Sequence, residues 1–448
     1  MTGCLYAEQN KKRVSMKEMK PWDNGKLQVS ENQKYLRNGN QPFFWLGDTA
    51  WLLFQQCSLE QAYLYLKNRR DLGYNVIQSV FYHPIQDQEY CRPESRIDNP
   101  DYWKHCDEII RMAEELGLYM GLLPCWGDIV KNKTINEDNA EKYCTFLAGR
   151  CQERKNIIWL VGGDVRGSDA PETFRTEGRT FKKLTPDNLV GFHPFGRTSS
   201  SLWFHEEEWL DFNMFQSGHR RYDQSSLGAW DDNAVKEGYF GEDNWRYVDR
   251  DHSYSVMKPT VDGEPSYEWI LQGLHDTSQP YWREWDVRRY AYWAVFQGAM
   301  GHTYGENAVM QFYDGSIPGS FGVRDMWWDA LHHVGAGHMK HLKDLMEAVD
   351  YQSGRPAEEL LVSGQKEKYE RVSVFAGKDY LFAYDYLGKG FTISLENFKG
   401  RKVSAFWFDP ASGIYSYFDD MTGKEQAEVK PVARFTEDND WVLVLKAE

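Results

Sequence analysis

Two carboxylates, Asp164 and Glu264, stand out as residues that could do acid–base or nucleophilic chemistry together. Asp164 follows the run Ile157-Ile158-Trp159-Leu160-Val161 and a Gly162-Gly163 pair. That apolar, β-branched and aromatic run reads as a strand buried on both faces of a parallel sheet. Two glycines then permit a sharp turn and a close ligand approach. Asp164 would therefore leave the C-terminal end of a buried strand, where barrel enzymes carry their reactive groups. The bland alternative is that Asp164 merely caps the next turn. Glu264 sits in Asp262-Gly263-Glu264-Pro265, at the end of another strand-like stretch. A carboxylate pair facing across one bond is the equipment of glycoside hydrolysis. One group protonates the leaving oxygen, and the other attacks the anomeric carbon or activates water. In retaining enzymes the two carboxyls lie about 5–5.5 Å apart. Burial and a like charge would keep the acid protonated, so Asp164 is assigned as acid/base and Glu264 as nucleophile. Asp262 and Glu268 are the competitors: Asp262 shares the face of Glu264 one layer deeper, and Glu268 lies past Pro265.

Opposed carboxylates need a scaffold that brings distant strand ends together. Strand-like runs at 43–48, 75–82, 118–126, 157–164, 189–195, 212–217, 259–264 and 301–305 alternate with helical patterns. This alternation predicts a parallel sheet with crossover helices, in the number and length of a (β/α)8 TIM barrel. Helices are expected at 59–72, 100–117, 136–154, 171–184, 284–300 and 324–348. The aromatic, polar stretch 218–258 reads as an elaborated loop and helix over the barrel mouth. A small hairpin around Asn38-Gly39-Asn40 precedes the barrel. From about residue 351, closely spaced short strands and turns predict a C-terminal antiparallel β-sandwich. The expected organisation is a disordered leader at 1–25, a catalytic barrel at 26–350 and an accessory β-sandwich at 351–448.

Almost every predicted strand end carries a polar or aromatic side chain. Asp48, Trp51, His83, Trp126, His193, Gln216, His219, Tyr267, His302 and Tyr304 are the expected substrate-binding residues. Histidines would hydrogen-bond sugar hydroxyls, and Trp51, Trp126, Tyr267 and Tyr304 would stack on sugar faces. Each aromatic could equally be core, and the histidines could simply pack. A metal site built on His83, His193 or His302 is the weaker reading, because the first strand lacks a His-x-His pair and no HExxH motif occurs. No cofactor and no metal are expected.

The composition is compatible with this. Aromatic residues make up 15% of 448 residues, which suits a surface that meets sugar rings. The formal net charge of −15 argues against a general nucleic-acid binder. No run of 18 apolar residues predicts a transmembrane helix. Seven cysteines, an odd number without a CxxC pair, argue against a disulfide framework or zinc site. Thr2-Gly3-Cys4 resembles the end of a lipoprotein signal, without the apolar stretch that should precede it. Export to the periplasm or cell surface, with a lipid anchor at Cys4, is the resulting expectation.

Four segments together resemble one family. Phe44-Trp45-Leu46-Gly47-Asp48-Thr49-Ala50-Trp51, Gly73-Tyr74-Asn75-Val76-Ile77-Gln78, Trp159 to Asp164, and Asp262-Gly263-Glu264-Pro265 are similar to motifs of the apiosidase-like family, glycoside hydrolase family 140. The resemblance runs from about residue 26 to the C-terminus, where the tail is similar to a collagen-binding-type β domain. It implies a retaining (β/α)8 glycosidase whose Asp and Glu map onto Asp164 and Glu264. It also implies exo release of apiose from galacturonic acid in rhamnogalacturonan II. A galacturonate neighbour is an anion, and Arg166, His219, Arg220 and Arg221 are the cations available near strand ends. The partner is then an oligosaccharide or polysaccharide, with no nucleic acid and with protein partners unassigned. An endo-acting β-glycanase and a non-catalytic carbohydrate-binding barrel are the alternatives. Nothing in 351–448 suggests a triple-helix groove, so the collagen label carries little weight.

Overall fold

The computed structural model describes residues 19–83, 99–224 and 240–448, apart from residues 317, 435 and 437. Eight parallel strands form the barrel: β1 Trp45–Thr49, β2 Val76–Val80, β3 Tyr119–Leu123, β4 Ile157–Val165, β5 Val190–Pro194, β6 Asn213–Gln216, β7 Thr260–Asp262 and β8 Gly301–Tyr304. Ladders run continuously from β5 back through β1 and on through β8 to β6. The seam between β5 and β6 is closed differently. The Asp211 amide donates to the Val190 carbonyl (2.9 Å), and the Asp211 carboxylate accepts from the Val190 amide (2.8 Å). Strand interiors are buried on both faces, as in a sheet sandwiched between a barrel core and outer helices.

The crossover helices form where the apolar spacing places them. Helix Leu59–Asp71 opens on a capping box between Ser58 and Gln61, and Pro171–Leu184 opens on proline at its first turn. The stretch expected as one helix at 324–348 is two, Trp327–Ala330 and Val334–Glu347. His333 breaks it in an extended conformation, with Nδ1 3.2 Å from Glu306 and Nε2 3.6 Å from Asp325. The expected hairpin is a three-stranded antiparallel sheet (Leu27–Val29, Leu36–Asn38 and Gln41–Phe43). The end of the expected leader is ordered: Pro21–Asn24 forms a 3₁₀ turn, and Trp22 packs edge-on against Tyr119 at 5.2 Å. Cys4 and the rest of the leader lie outside the described residues.

The C-terminal region is a six-stranded antiparallel sheet packed on a two-stranded one, Phe391–Ser394 with Gln426–Val429. Its six-stranded sheet turns its outer face to the barrel helix Glu284–Phe296. Tyr292 stacks on Tyr384 at 4.6 Å, and buried Arg288 donates to Asp440 at 2.7 and 2.9 Å. Buried aromatic contact and a fully enclosed ion pair join the two regions in one core.

Candidate active site

A cavity of about 220 Å³ opens at the C-terminal ends of the barrel strands. Asp164 and Glu264 both line it, together with Trp51, His83, Trp126, Gln216, His219 and Tyr267. The local backbone explains how Asp164 gets there. The β4–β5 register runs from Gly162 opposite His193 to Val165 opposite Pro194, so two residues bulge out of the ladder. Gly162, Gly163 and Asp164 have φ of +94°, +110° and +53°. A Cβ on Gly162 would sit 2.6 Å from the His193 carbonyl, so only glycine fits there. Asp164 itself holds a left-handed conformation that L residues adopt at some cost, which is typical of reactive positions.

Glu264 follows β7 and is nearly buried. His219 Nε2 lies 3.0 Å from its Oε1, and His193 Nε2 lies 3.3 Å from its Oε2. His193 Nδ1 accepts from the Asp164 amide at 3.3 Å, so one imidazole touches both carboxylate positions. Trp51 packs edge-on against Trp126 and His193, each at 5.2 Å, and its indole N–H donates to the Tyr267 hydroxyl at 3.2 Å. These rings wall the base of the cavity and fix the imidazoles.

The two carboxyls are driven apart in acidity. For Asp164, burial comes first and the charges of Glu264 and Asp128 second. Together they push it well above the ordinary range, against hydrogen bonds from the Gly196 amide and Gln216. Burial also acts to raise Glu264, but hydrogen bonds and charge from His193 and His219 overcome it and bring Glu264 down to about 2. The pair therefore shares one proton, held on Asp164. His83, tied through its backbone to Gln55, is lowered to about 3 by burial and is a neutral ring.

Three expected binding residues are elsewhere. Asp48 is sealed behind the barrel rim, accepting from Arg69 Nε and the Tyr65 hydroxyl, both at 2.6 Å. Tyr304 is buried and donates its hydroxyl to Glu268. His302 is fully buried, with neither ring nitrogen hydrogen-bonded among the described residues, and burial lowers it to about 3. All three lie on β1 and β8, whose ends are covered by the segments that follow β7 and β8. His193 lies under Glu264 rather than on the cavity wall. The competing carboxylates are also committed: Asp262 accepts from Ser217 and Asn244, and Glu268 from Tyr304 and the Gly335 amide. Among the expected cations, Arg220 and His219 line the cavity. Arg166 instead stacks on Phe195 at 4.2 Å, and Arg221 binds Asp223, Gln272 and Gln279.

Arg197, Asp128 and an apolar wall of Phe195, Leu274, Met310 and Phe321 also line the cavity, and sequence reasoning did not single them out. Arg197 carries one signal in retrospect. It lies three residues beyond His193-Pro194 and holds φ +62°.

The barrel, its C-terminal cavity and the paired carboxylates define a glycoside hydrolase. The chain belongs to the apiosidase-like family: the profile described as "Apiosidase-like, catalytic domain" matches residues 30–353. A second profile, named for the collagen-binding domain of a collagenase, matches 356–446. A solved structure titled "Glycoside hydrolase" is 38% identical, with a TM-score of 0.87 over 96% of this chain and 98% of its own. A glycoside hydrolase family 5 structure from Bacteroides vulgatus is 37% identical, with a TM-score of 0.88 over 96% and 95%. No curated protein matches the chain.

Proposed function

We propose that the enzyme is an exo-acting glycosidase of pectic glycans, releasing apiose or a similar terminal sugar with retention. The observation that carries this is two carboxyls on one cavity, Glu264 held between two imidazoles and Asp164 opposite it without a cation among the described residues. Asp164 keeps its proton and can donate it to the glycosidic oxygen. Glu264 stays ionised and can attack the anomeric carbon, after which Asp164 deprotonates the incoming water. The compact, largely apolar cavity suits one terminal residue better than the middle of a chain. Arg197 and Arg220 beside it suit a carboxylate on the neighbouring sugar. Such polymers lie outside the cell, which favours export. Mass spectrometry of the mature N-terminus would read whether Cys4 carries lipid.

The test is digestion of rhamnogalacturonan II oligosaccharides with identification of each product. Release of a single terminal sugar, early and without mid-sized fragments, is expected. Mid-sized fragments would make the enzyme endo-acting. No cleavage of any pectic oligosaccharide would remove the substrate assignment.

A further inference from the structure

A second cavity, of about 550 Å³, lies in the crevice between the barrel and the C-terminal domain. Tyr222, Phe240 and Trp245 contribute from the barrel side, and Lys366, Lys368 and Arg371 from the β-domain side. Tyr222 comes two residues after Arg220, so the loop that lines the catalytic cavity continues into this one.

Two of the cations here lie over aromatic rings. Lys368 Nζ lies 5.2 Å from the Tyr222 ring centroid, and the Arg371 guanidinium lies 3.5 Å from that of Trp245. Lys366 and Lys368 form no ion pair among the described residues. Arg371 is 3% exposed and pairs with Glu358 and Gln297; among the described residues its Nε and the Trp245 indole N–H have no hydrogen-bond partner. Two acids also line the crevice. Asp243 is taken up by Arg246 at 3.3 Å and by the Tyr222 hydroxyl, and Arg371 is paired with Glu358, which leaves Glu367 against Lys366 and Lys368. In a chain of net charge −15, a crevice that sets two exposed, unpaired lysines against one acid is an exception that favours an anion.

We propose that this crevice is a second glycan site, which binds a carboxylate-bearing stretch of polysaccharide while the terminal sugar enters the catalytic cavity. Lys366 and Lys368 meet uronate carboxylates, and the Tyr222 and Trp245 rings offer faces to the sugars. The recognition is charge-based and separate from cleavage, so it does not depend on which sugar the catalytic cavity releases.

Affinity electrophoresis of full-length Glu264→Gln, through gels containing polygalacturonate or neutral galactan, tests it. Polygalacturonate should retard the protein and galactan should not. Lys366→Ala/Lys368→Ala, both at exposed positions, should weaken retardation by about tenfold. Lys155→Ala/Lys183→Ala, an equal change of charge at exposed barrel positions, should not. Equal retardation of the crevice variant and its parent, equal retardation by galactan, or equal loss in the control pair would each overturn the proposal. A failure of pectic cleavage would leave these gels unchanged, so the two readings fail separately.

Discussion

The rim of the barrel has two halves that use the same residue types to opposite ends. On β4 to β7, Asp164, Gln216 and Glu264 face the cavity. On β8 and β1, Tyr304, His302 and Asp48 are sealed from it. The difference lies in the partner. Asp48 meets the guanidinium of Arg69 inside the protein, while Asp164 meets another carboxylate at an opening. A buried acid beside a cation is a structural ion pair. A buried acid beside an anion keeps its proton and can give it away.

The comparison can be broken at several points. Glu264→Gln and Asp164→Asn should each lower kcat by about a thousandfold or more while leaving circular dichroism unchanged. Near-parental turnover in either would remove that residue from the chemistry. Asp48→Asn should do the reverse, because it strands Arg69 without its charge partner. A stability loss of about 3 kcal/mol in denaturant titration is expected, with kcat per folded molecule nearly retained.

The pH–rate profile sharpens the contrast. On the proposed mechanism, catalysis needs Glu264 ionised and Asp164 protonated. With Glu264 at about 2, the acid limb should fall only near that pH. With Asp164 raised, the alkaline limb should lie above the ordinary carboxylate range. A limb near pH 4 on the alkaline side would contradict the assignment.

Glu177, on helix Pro171–Leu184, supplies a third environment with neither partner. Burial alone raises it to about 8. Between its ordinary value and 8 the unfolded chain loses this proton while the folded one keeps it, so its cost to stability grows as pH rises through that window. Glu177→Gln should therefore raise Tm by more at pH 8 than at pH 4. An equal shift at both would show that Glu177 is ionised when folded.

The fold was legible because most barrel strands are short apolar runs bounded by turn residues, and several crossover helices open on a cap or a proline, as at Ser58, Asn99 and Pro171. The place of Asp164 and Glu264 on the cavity was legible for the same reason: Gly162-Gly163-Asp164 and Asp262-Gly263-Glu264 put an acid at the end of a buried strand. What was not legible depended on long-range partners. Nothing around Asp48 reveals that Arg69 folds back onto it from a helix 21 residues on. His302, Tyr304 and His193 all lie buried on barrel strands, and only long-range packing decides that His193 meets Glu264 while His302 has no hydrogen-bond partner among the described residues. The split at His333 escaped because no glycine or proline marks it; the pull comes from Glu306 and Asp325. Gln426–Val429 carries little sequence signal of its own, because its alternating burial spans only four residues.

The account rests on Glu264 as the atom donor to the sugar. Its most direct test is peptide mapping by mass spectrometry after incubation with a 2-deoxy-2-fluoro glycoside of the released sugar, which lets the glycosyl–enzyme accumulate. A glycosyl adduct on Glu264, absent in Glu264→Gln, is the predicted result. An adduct on Asp262 or Glu268, or inactivation with no adduct on Glu264, would contradict it.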